Sequence, residues 1–203
     1  MSGLLAHPRL RAILDVPAFF RAFRFLLVGH QTETRRRLRV HLGARPGERV
    51  LDVCCGIGEF ACEVDADYVG IDINPRFIAA AARRHVADPR KTFRTMDALH
   101  MEYPDHYFDR TIFINGLHHF SDDDGRRLLK EIRRVTRVRV VIIDADGTPR
   151  GLLRRALLAA DRGAWMRTPE ALGELIASVL SVHAAVRFDV GLYTEMLYES
   201  RLR

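Results

Sequence analysis

A chain of 203 residues with 48% hydrophobic and 29% charged residues has the make-up of one ordinary globular domain, which argues against a disordered or a membrane-spanning chain. The formal charge of +6 and the sequence pI of about 9.7 make anionic partners physically reasonable, but the sign alone names none. The arginines are scattered over helical segments without interleaved aromatic residues, so they are expected on the solvated surface.

The amino-terminal stretch lacks the basic-then-apolar pattern of a secretory signal, and a cytoplasmic location is expected. Residues 13–28 read as a packed helix. Phe19, Phe20 and Phe23 recur at helical spacing, while Asp15, Pro17, Arg21 and Arg24 make the stretch too polar to cross a bilayer. Thr32 or Thr34 is expected to cap a second helix that ends near Leu42 and Gly43. From residue 49 the pattern changes to short β-branched runs at 49–53, 68–72, 91–94, 110–114 and 138–144. Helices are expected between them at 59–64, 75–86 and 122–135. Strands alternating with helices predict an α/β fold, a mostly parallel sheet with helices on both faces. A helical run over 151–162, a helix opened by Thr168, Pro169 and Glu170, and a hairpin of 183–189 with 193–199 close the chain.

Cys54, Cys55 and Cys62 lie within nine positions, and adjacent cysteines join only through a strained ring, so reduced thiols are expected. Their spacing matches no zinc pattern, and no metal site is expected.

The segment Val50-Leu51-Asp52-Val53-Cys54-Cys55-Gly56-Ile57-Gly58-Glu59-Phe60-Ala61 reads as a buried strand, a tight turn and a helix start, where a nucleotide-like ligand can approach the backbone. Gly56-x-Gly58-x-x-Ala61 also fits a dinucleotide fingerprint, with Asp72 placed to hold a ribose. Asp52 separates the two: an acid just before the glycines repels a pyrophosphate and favours a ligand carrying an ammonium and a sulfonium.

On these residues the sequence resembles the class I S-adenosylmethionine-dependent methyltransferases, and its segment 161–170 resembles a stretch of small bacterial methyltransferases of biosynthetic clusters. The resemblance runs from about residue 31 onward and is densest over 49–144. It implies a Rossmann-like seven-stranded sheet in a single domain: a helical cover over 1–47, a cofactor-binding core over 48–145, and a substrate-side helix, closing helix and antiparallel hairpin over 146–203. It also implies S-adenosylmethionine as cofactor, with Asp52, Cys54, Gly56 and Gly58 at the methionine end and Asp72 with Ile73 at the ribose. Asp97 with Ala98 falls at the adenine and Asn115 beside the reacting methyl. Each polar residue has a plainer use as well: Asp72 can cap the helix opened by Asn74 and Pro75, Asp97 can start a turn, and Asn115-Gly116 is a common turn pair.

His118 and His119 follow the fourth strand, where the family places its substrate, and either is a candidate base for a hydroxyl or carbon acid. An O- or C-acceptor among small metabolites is therefore expected. The resemblance would bring Trp165, Met166, Tyr193 and Tyr198 near the acceptor, although aromatic residues of this kind are often simple core. DNA is not an expected partner, because no Asn-Pro-Pro-Tyr follows the fourth strand. The competing readings are an NAD-dependent oxidoreductase and a non-catalytic lipid- or RNA-binding module. Cys54 stands where the family commonly has glycine, so the turn must avoid positive φ there or carry strain. The family's Pro-Gly-Gly before the fifth strand is missing.

Overall fold

Alternation of strand and helix carries through into three dimensions. The computed structural model describes residue 25, residues 29–148 and residues 164–202. The helices expected over 13–28 (residue 25 aside) and over 151–162 lie outside the described residues, and with them Phe19, Phe20, Phe23, Arg21 and Arg24. In chain order the elements are α1 (Thr32–Leu42), β1 (Arg49–Val53), β2 (Asp67–Asp72), α2 (Pro75–Arg84), β3 (Lys91–Thr95) and β4 (Phe108–Ile114). There follow α3 (Asp122–Val135), β5 (Thr136–Ala145), α4 (Pro169–Ala177), β6 (Val182–Val190) and β7 (Tyr193–Arg201).

The strands form one sheet in the order β3-β2-β1-β4-β5-β7-β6. The first five are parallel, and β7 runs antiparallel to both β5 and β6. The period of two in β1, β4 and β5 sorts the core into two layers. Leu51, Val53, Phe113 and Ile142 face Leu128, Leu129 and Ile132 of α3 and Leu172, Leu175 and Ile176 of α4. Val50, Ile112, Val141 and Ile143 face Leu38 and Leu42 of α1. Each such side chain, fully buried, contributes about 1.5–3 kcal/mol, so the sheet is held from both sides. The direction in which strands are added reverses between β1 and β4, and the carboxyl ends on either side of that reversal are where open α/β sheets bind ligands.

Two local expectations are corrected. The helix expected over 59–64 is only a turn and a single 3-10 segment, Ala61–Glu63. Returning from the end of β1 to the start of the parallel β2 means travelling back about 16 Å, five residues of strand. The eight residues 59–66, wound as an α-helix, would cover only about 12 Å. The chain therefore takes more extended forms. At α1, neither Thr32 nor Thr34 caps: the cap position is Gln31 at φ 53 with no side-chain cap bond. Thr34 Oγ instead donates to Glu195 Oε2 at 2.7 Å. The other ends follow the sequence signals. Gly43 closes α1 at φ 55, Asn74 accepts from the Arg76 amide ahead of Pro75, and Ser121 and Thr168 cap α3 and α4. With no Pro-Gly-Gly between them, α3 runs directly into β5, two residues before the expected start.

The arginines of α1 and α3 pair with acids on the surface, Arg36 with Glu33, Arg126 with Asp123 and Arg127 with Asp124. Two others are buried: Arg110, bonded to Glu48 at 2.6 and 3.0 Å, and Arg167. The three cysteines are free thiols. Among the described residues, no helix is long and apolar enough to cross a membrane.

Candidate functional site

The turn after β1 packs three left-handed residues into five positions: Cys54 at φ 56, Gly56 at φ 56 and Gly58 at φ 69. It is pinned by the Cys55 amide donating to Ile71 O at 2.9 Å and by the Gly58 amide donating to Cys55 O at 3.0 Å. The two glycines serve different ends. A Cβ on Gly56 would meet nothing within 4 Å, so the backbone there is open to a ligand. On Gly58 it would lie 2.9 Å from the Phe93 ring and 3.2 Å from Ala81 Cβ, so that glycine is required by the protein's own packing. His85 braces the turn from behind. Its Nε2 lies 2.8 Å from Gly58 O and its ring stacks on Phe93. Burial pulls its pKa below the usual histidine value, against the pull of the Gly58 carbonyl, which favours a neutral ring donating Nε2–H.

Asp52, 2% exposed, points into this region from β1 and accepts the Tyr68 hydroxyl. Burial pushes its carboxyl up to about 7; the Tyr68 bond opposes that rise and the charge of Asp72 adds to it. A cation placed beside it would draw the proton off. The same acids and burial raise the Cys54 and Cys55 thiols, which keeps both protonated and unsuited to attack. The departure at Cys54 therefore resolves toward strain: a side chain occupies the left-handed region where the family commonly has glycine.

Asp72, at the end of β2, accepts the Gly56 amide on one oxygen at 2.9 Å and the Asn74 amide on the other at 2.8 Å. It ties the glycine turn to the next helix start. Ile73 beside it is 72% exposed, an apolar face at the sheet's edge. Asp97 accepts the Leu99 amide at 2.9 Å and faces His100 Nδ1 at 3.3 Å. The amide and His100 hold its carboxyl below the usual range. Ala98 is buried next to it. The plainer use foreseen for Asp97, a turn, is in place, whereas the cap foreseen for Asp72 is made by Asn74, whose amide Asp72 accepts.

Beyond β4 the arrangement departs from what the sequence suggested. Asn115, at φ 52, donates its amide to Ile143 O at 2.7 Å and its Nδ2 to Glu195 Oε1 at 3.0 Å. Its side-chain amide is thereby linked to the buried carboxylate of β7 that also accepts Thr34 of α1. His118, 6% exposed, sets Nδ1 against Asp144 Oδ1, and its amide donates to Asp144 Oδ2 at 3.0 Å. Burial would raise Asp144, but the histidine and two backbone amides outweigh it and hold the carboxyl below its ordinary value. An ionised Asp144 fixes the proton on Nδ1 and leaves Nε2 as the acceptor nitrogen. His119 is exposed, with its ring 4.3 Å from that of His118.

Residues 50–139 match the family model described as a methyltransferase domain. Over this stretch the chain is similar to methyltransferase domains. Over 98 residues it is 35% identical to 27-O-demethylrifamycin SV methyltransferase of Amycolatopsis mediterranei, covering 45% of this chain and 36% of that protein. Over 129 residues it is 33% identical to demethylmenaquinone methyltransferase of Beutenbergia cavernae, covering 61% of this chain and 52% of that protein. The chain spans about half or less of the length of these relatives. The chain also shares its fold with the solved magnesium protoporphyrin IX methyltransferase of Synechocystis PCC 6803 with SAH bound. That likeness has a TM-score of 0.71 at 16% identity and covers 96% of this chain and 99% of the other.

Asp52, Cys54, Gly56, Asp72 and Asp97 gather at the carboxyl ends of β1 to β3, close enough for the three acids to act together on the Cys54 thiol. Asn115 and His118 follow β4. Four residues with a part in the site escaped the sequence reading: His85, Asp144, Glu195 and Arg167. An acid closing the fifth strand, at Asp144, was the one visible signal. Tyr198 belongs to the core, its hydroxyl donating to Pro169 O at 2.6 Å, while Trp165 is about half exposed. A cavity of about 450 Å³ lies between α1 and the β1–β2 crossover, lined by Phe25, Arg35, Arg39, Glu59 and Arg84 among others. None of the expected site residues lines it.

Proposed function

We propose that the chain transfers the methyl group of S-adenosylmethionine to a small-molecule acceptor at oxygen or carbon. The observation that carries this reading is the His118–Asp144 pair: a buried carboxylate orients an imidazole beside the acceptor side of the sheet, as proton removal from a hydroxyl or carbon acid requires. A neutral amine acceptor would need only alignment. The residues present fit the cofactor. Gly56 leaves its Cβ direction open, Asp52 holds a carboxyl poised to ionise beside a cation, and Asp72 sets a carboxylate at the end of β2, tied to the glycine turn, of the kind that ribose hydroxyls donate to. Ile73 offers an apolar face to the adenine.

When bound, the cofactor supplies an electrophilic methyl on a sulfonium. Asp52 balances positive charge, Asp72 and Asp97 orient the adenosine, and the Gly56 backbone receives the methionine end. His118 Nε2 takes the acceptor's proton, and Asp144 stabilises the resulting imidazolium. Relatives named for rifamycin and menaquinone precursors support a small-molecule acceptor. The free thiols suit the cytoplasm.

Calorimetric titration with S-adenosylmethionine, S-adenosylhomocysteine and NAD tests the cofactor, and binding of NAD alone would overturn it. Transfer of labelled methyl to a panel of phenols, enols and amines tests the acceptor class. Turnover confined to amines would remove the oxygen-or-carbon assignment.

A further inference from the structure

Residues 164–168, just ahead of α4, lie against the turn that carries His118. The Trp165 amide donates to His118 O at 3.0 Å. Arg167, 9% exposed, reaches further. Its Nη1 donates to Leu117 O at 3.1 Å and its Nη2 to Phe120 O at 2.8 Å, so one guanidinium holds the carbonyls on either side of the two histidines. Nε and Nη2 also donate to Asp122 Oδ1, at 2.9 and 2.8 Å, which fixes the guanidinium to the first residue of α3. The backbone of the same residue faces the other half of the pair. Arg167 O accepts the Gly147 amide at 2.8 Å, three residues beyond Asp144. The approach is so close that a Cβ on Gly147 would come within 2.4 Å of that oxygen.

We propose that Arg167 is a positioning residue for the His118–Asp144 pair, its guanidinium setting the Leu117–Phe120 turn and its carbonyl setting the exit of the strand that supplies Asp144. Burying a guanidinium is a poor way to stabilise a turn, because removing it from water costs several kcal/mol that an apolar side chain of similar size avoids. What the guanidinium supplies instead is direction. Its planar fork satisfies three carbonyls, those of Leu117, Trp165 and Phe120, and a carboxylate at fixed angles, which a lysine ammonium on a flexible stem cannot do together. A histidine turn tethered only at Asp144 could rotate about that contact. Held also at Leu117, His118 and Phe120, it presents Nε2 in one direction. This inference rests on the reading of His118 as the proton acceptor.

The test uses the full chain without cofactor and follows the Nδ1 proton of His118, whose hydrogen bond to a buried carboxylate places it downfield of the amide protons. The signal is assigned by its loss in Asp144→Asn. In Arg167→Ala that signal is expected to broaden or to exchange with solvent at least about tenfold faster, as local opening of the turn predicts. S-adenosylhomocysteine affinity should stay within about threefold, since no cofactor-side residue touches Arg167. Arg167→Lys should fall with the alanine variant. An unchanged signal in folded Arg167→Ala, or wild-type protection restored by lysine, overturns the proposal. Should Arg167→Ala fail to fold, Asp122→Ala decides. Its target side chain is 61% exposed, and it removes only the anchor of the guanidinium. Faster exchange supports the proposal and unchanged exchange refutes it. Absence of methyl transfer in the wild type would overturn the enzymatic reading while leaving the proton signal intact, so the two failures are distinguishable.

Discussion

Replacing Asp52 by asparagine removes a charge that the folded chain resists. Its carboxyl rises from 3.8 to about 7 on folding, roughly three pKa units at about 1.4 kcal/mol each, or about 4 kcal/mol in all. The folded pKa lies above the unfolded one. The proton is therefore retained in the folded chain where the unfolded chain has lost it, and the stability it contributes is fully present below pH 3.8 and lost as pH rises through 7. Asparagine titrates nowhere in this range and still offers an oxygen to the Tyr68 hydroxyl, and any constant cost of burying its NH2 is the same at every pH. The stability of Asp52→Asn relative to wild type should thus grow by about 3 kcal/mol between about pH 4.5 and pH 8 and level off above. Urea unfolding of the two chains across that range measures it, and other titrating groups cancel in the difference. A difference that stays constant with pH would mean that Asp52 is already ionised in the folded chain, and the argument from its burial would fail. The same substitution should weaken S-adenosylmethionine binding, with the wild type alone releasing a proton on binding below pH 7.

Asp144→Asn should lower methyl transfer to a hydroxyl acceptor by about 10²–10⁴-fold, with S-adenosylhomocysteine affinity within about twofold; steady-state rates and calorimetry separate the two effects. Cys54→Gly relieves a side chain at φ 56 and should stabilise the chain by about 0.5–1 kcal/mol, read from the thermal midpoint. Gly58→Ala, which meets the Phe93 ring, should be more destabilising than Gly56→Ala, which meets nothing within 4 Å. The order should invert for cofactor affinity, and the opposite ranking in either assay counts against the division of roles. Asp72→Ala should weaken S-adenosylhomocysteine binding by about 1.5–3 kcal/mol, and unchanged affinity would remove the ribose assignment.

What the sequence made legible is what neighbours along the chain determine. Short β-branched runs located β1, β4 and β5, and short-range signals at Asn74-Pro75 and Thr168 located two of the helix starts. Asp52, Asp72 and Asp97 could be picked out because each sits within, closes or shortly follows a strand signal. The crossover after β1 was misread because Glu59-Phe60-Ala61 has helical character while the distance to be covered is set by the sheet. Thr34 was misassigned as a cap because Glu195, distant in sequence, takes its hydroxyl. The contacts that organise the acceptor side were illegible for the same reason. His118 and Asp144 are 26 positions apart, Leu117 and Arg167 are 50, and Asn115 and Glu195 are 80. Only a folded sheet brings such pairs together, and nothing in local propensity announces them.

The place of β7 inside the sheet has a consequence for how the domain is made. It leaves the ribosome after the other six strands of this sheet, yet it lies between β5 and β6, where Leu197 and Tyr198 complete both core layers. Until it inserts, β5 presents a bare edge of unpaired amides and carbonyls open to pairing with another chain. Glu195, the carboxylate that gathers Asn115 and Thr34, arrives with that same strand. High contact order here makes closure of the sheet late and slow, and it also delays assembly of the acceptor side until the fold is nearly complete. A nascent domain without β7 would be prone to aggregate and would lack the Asn115 anchor.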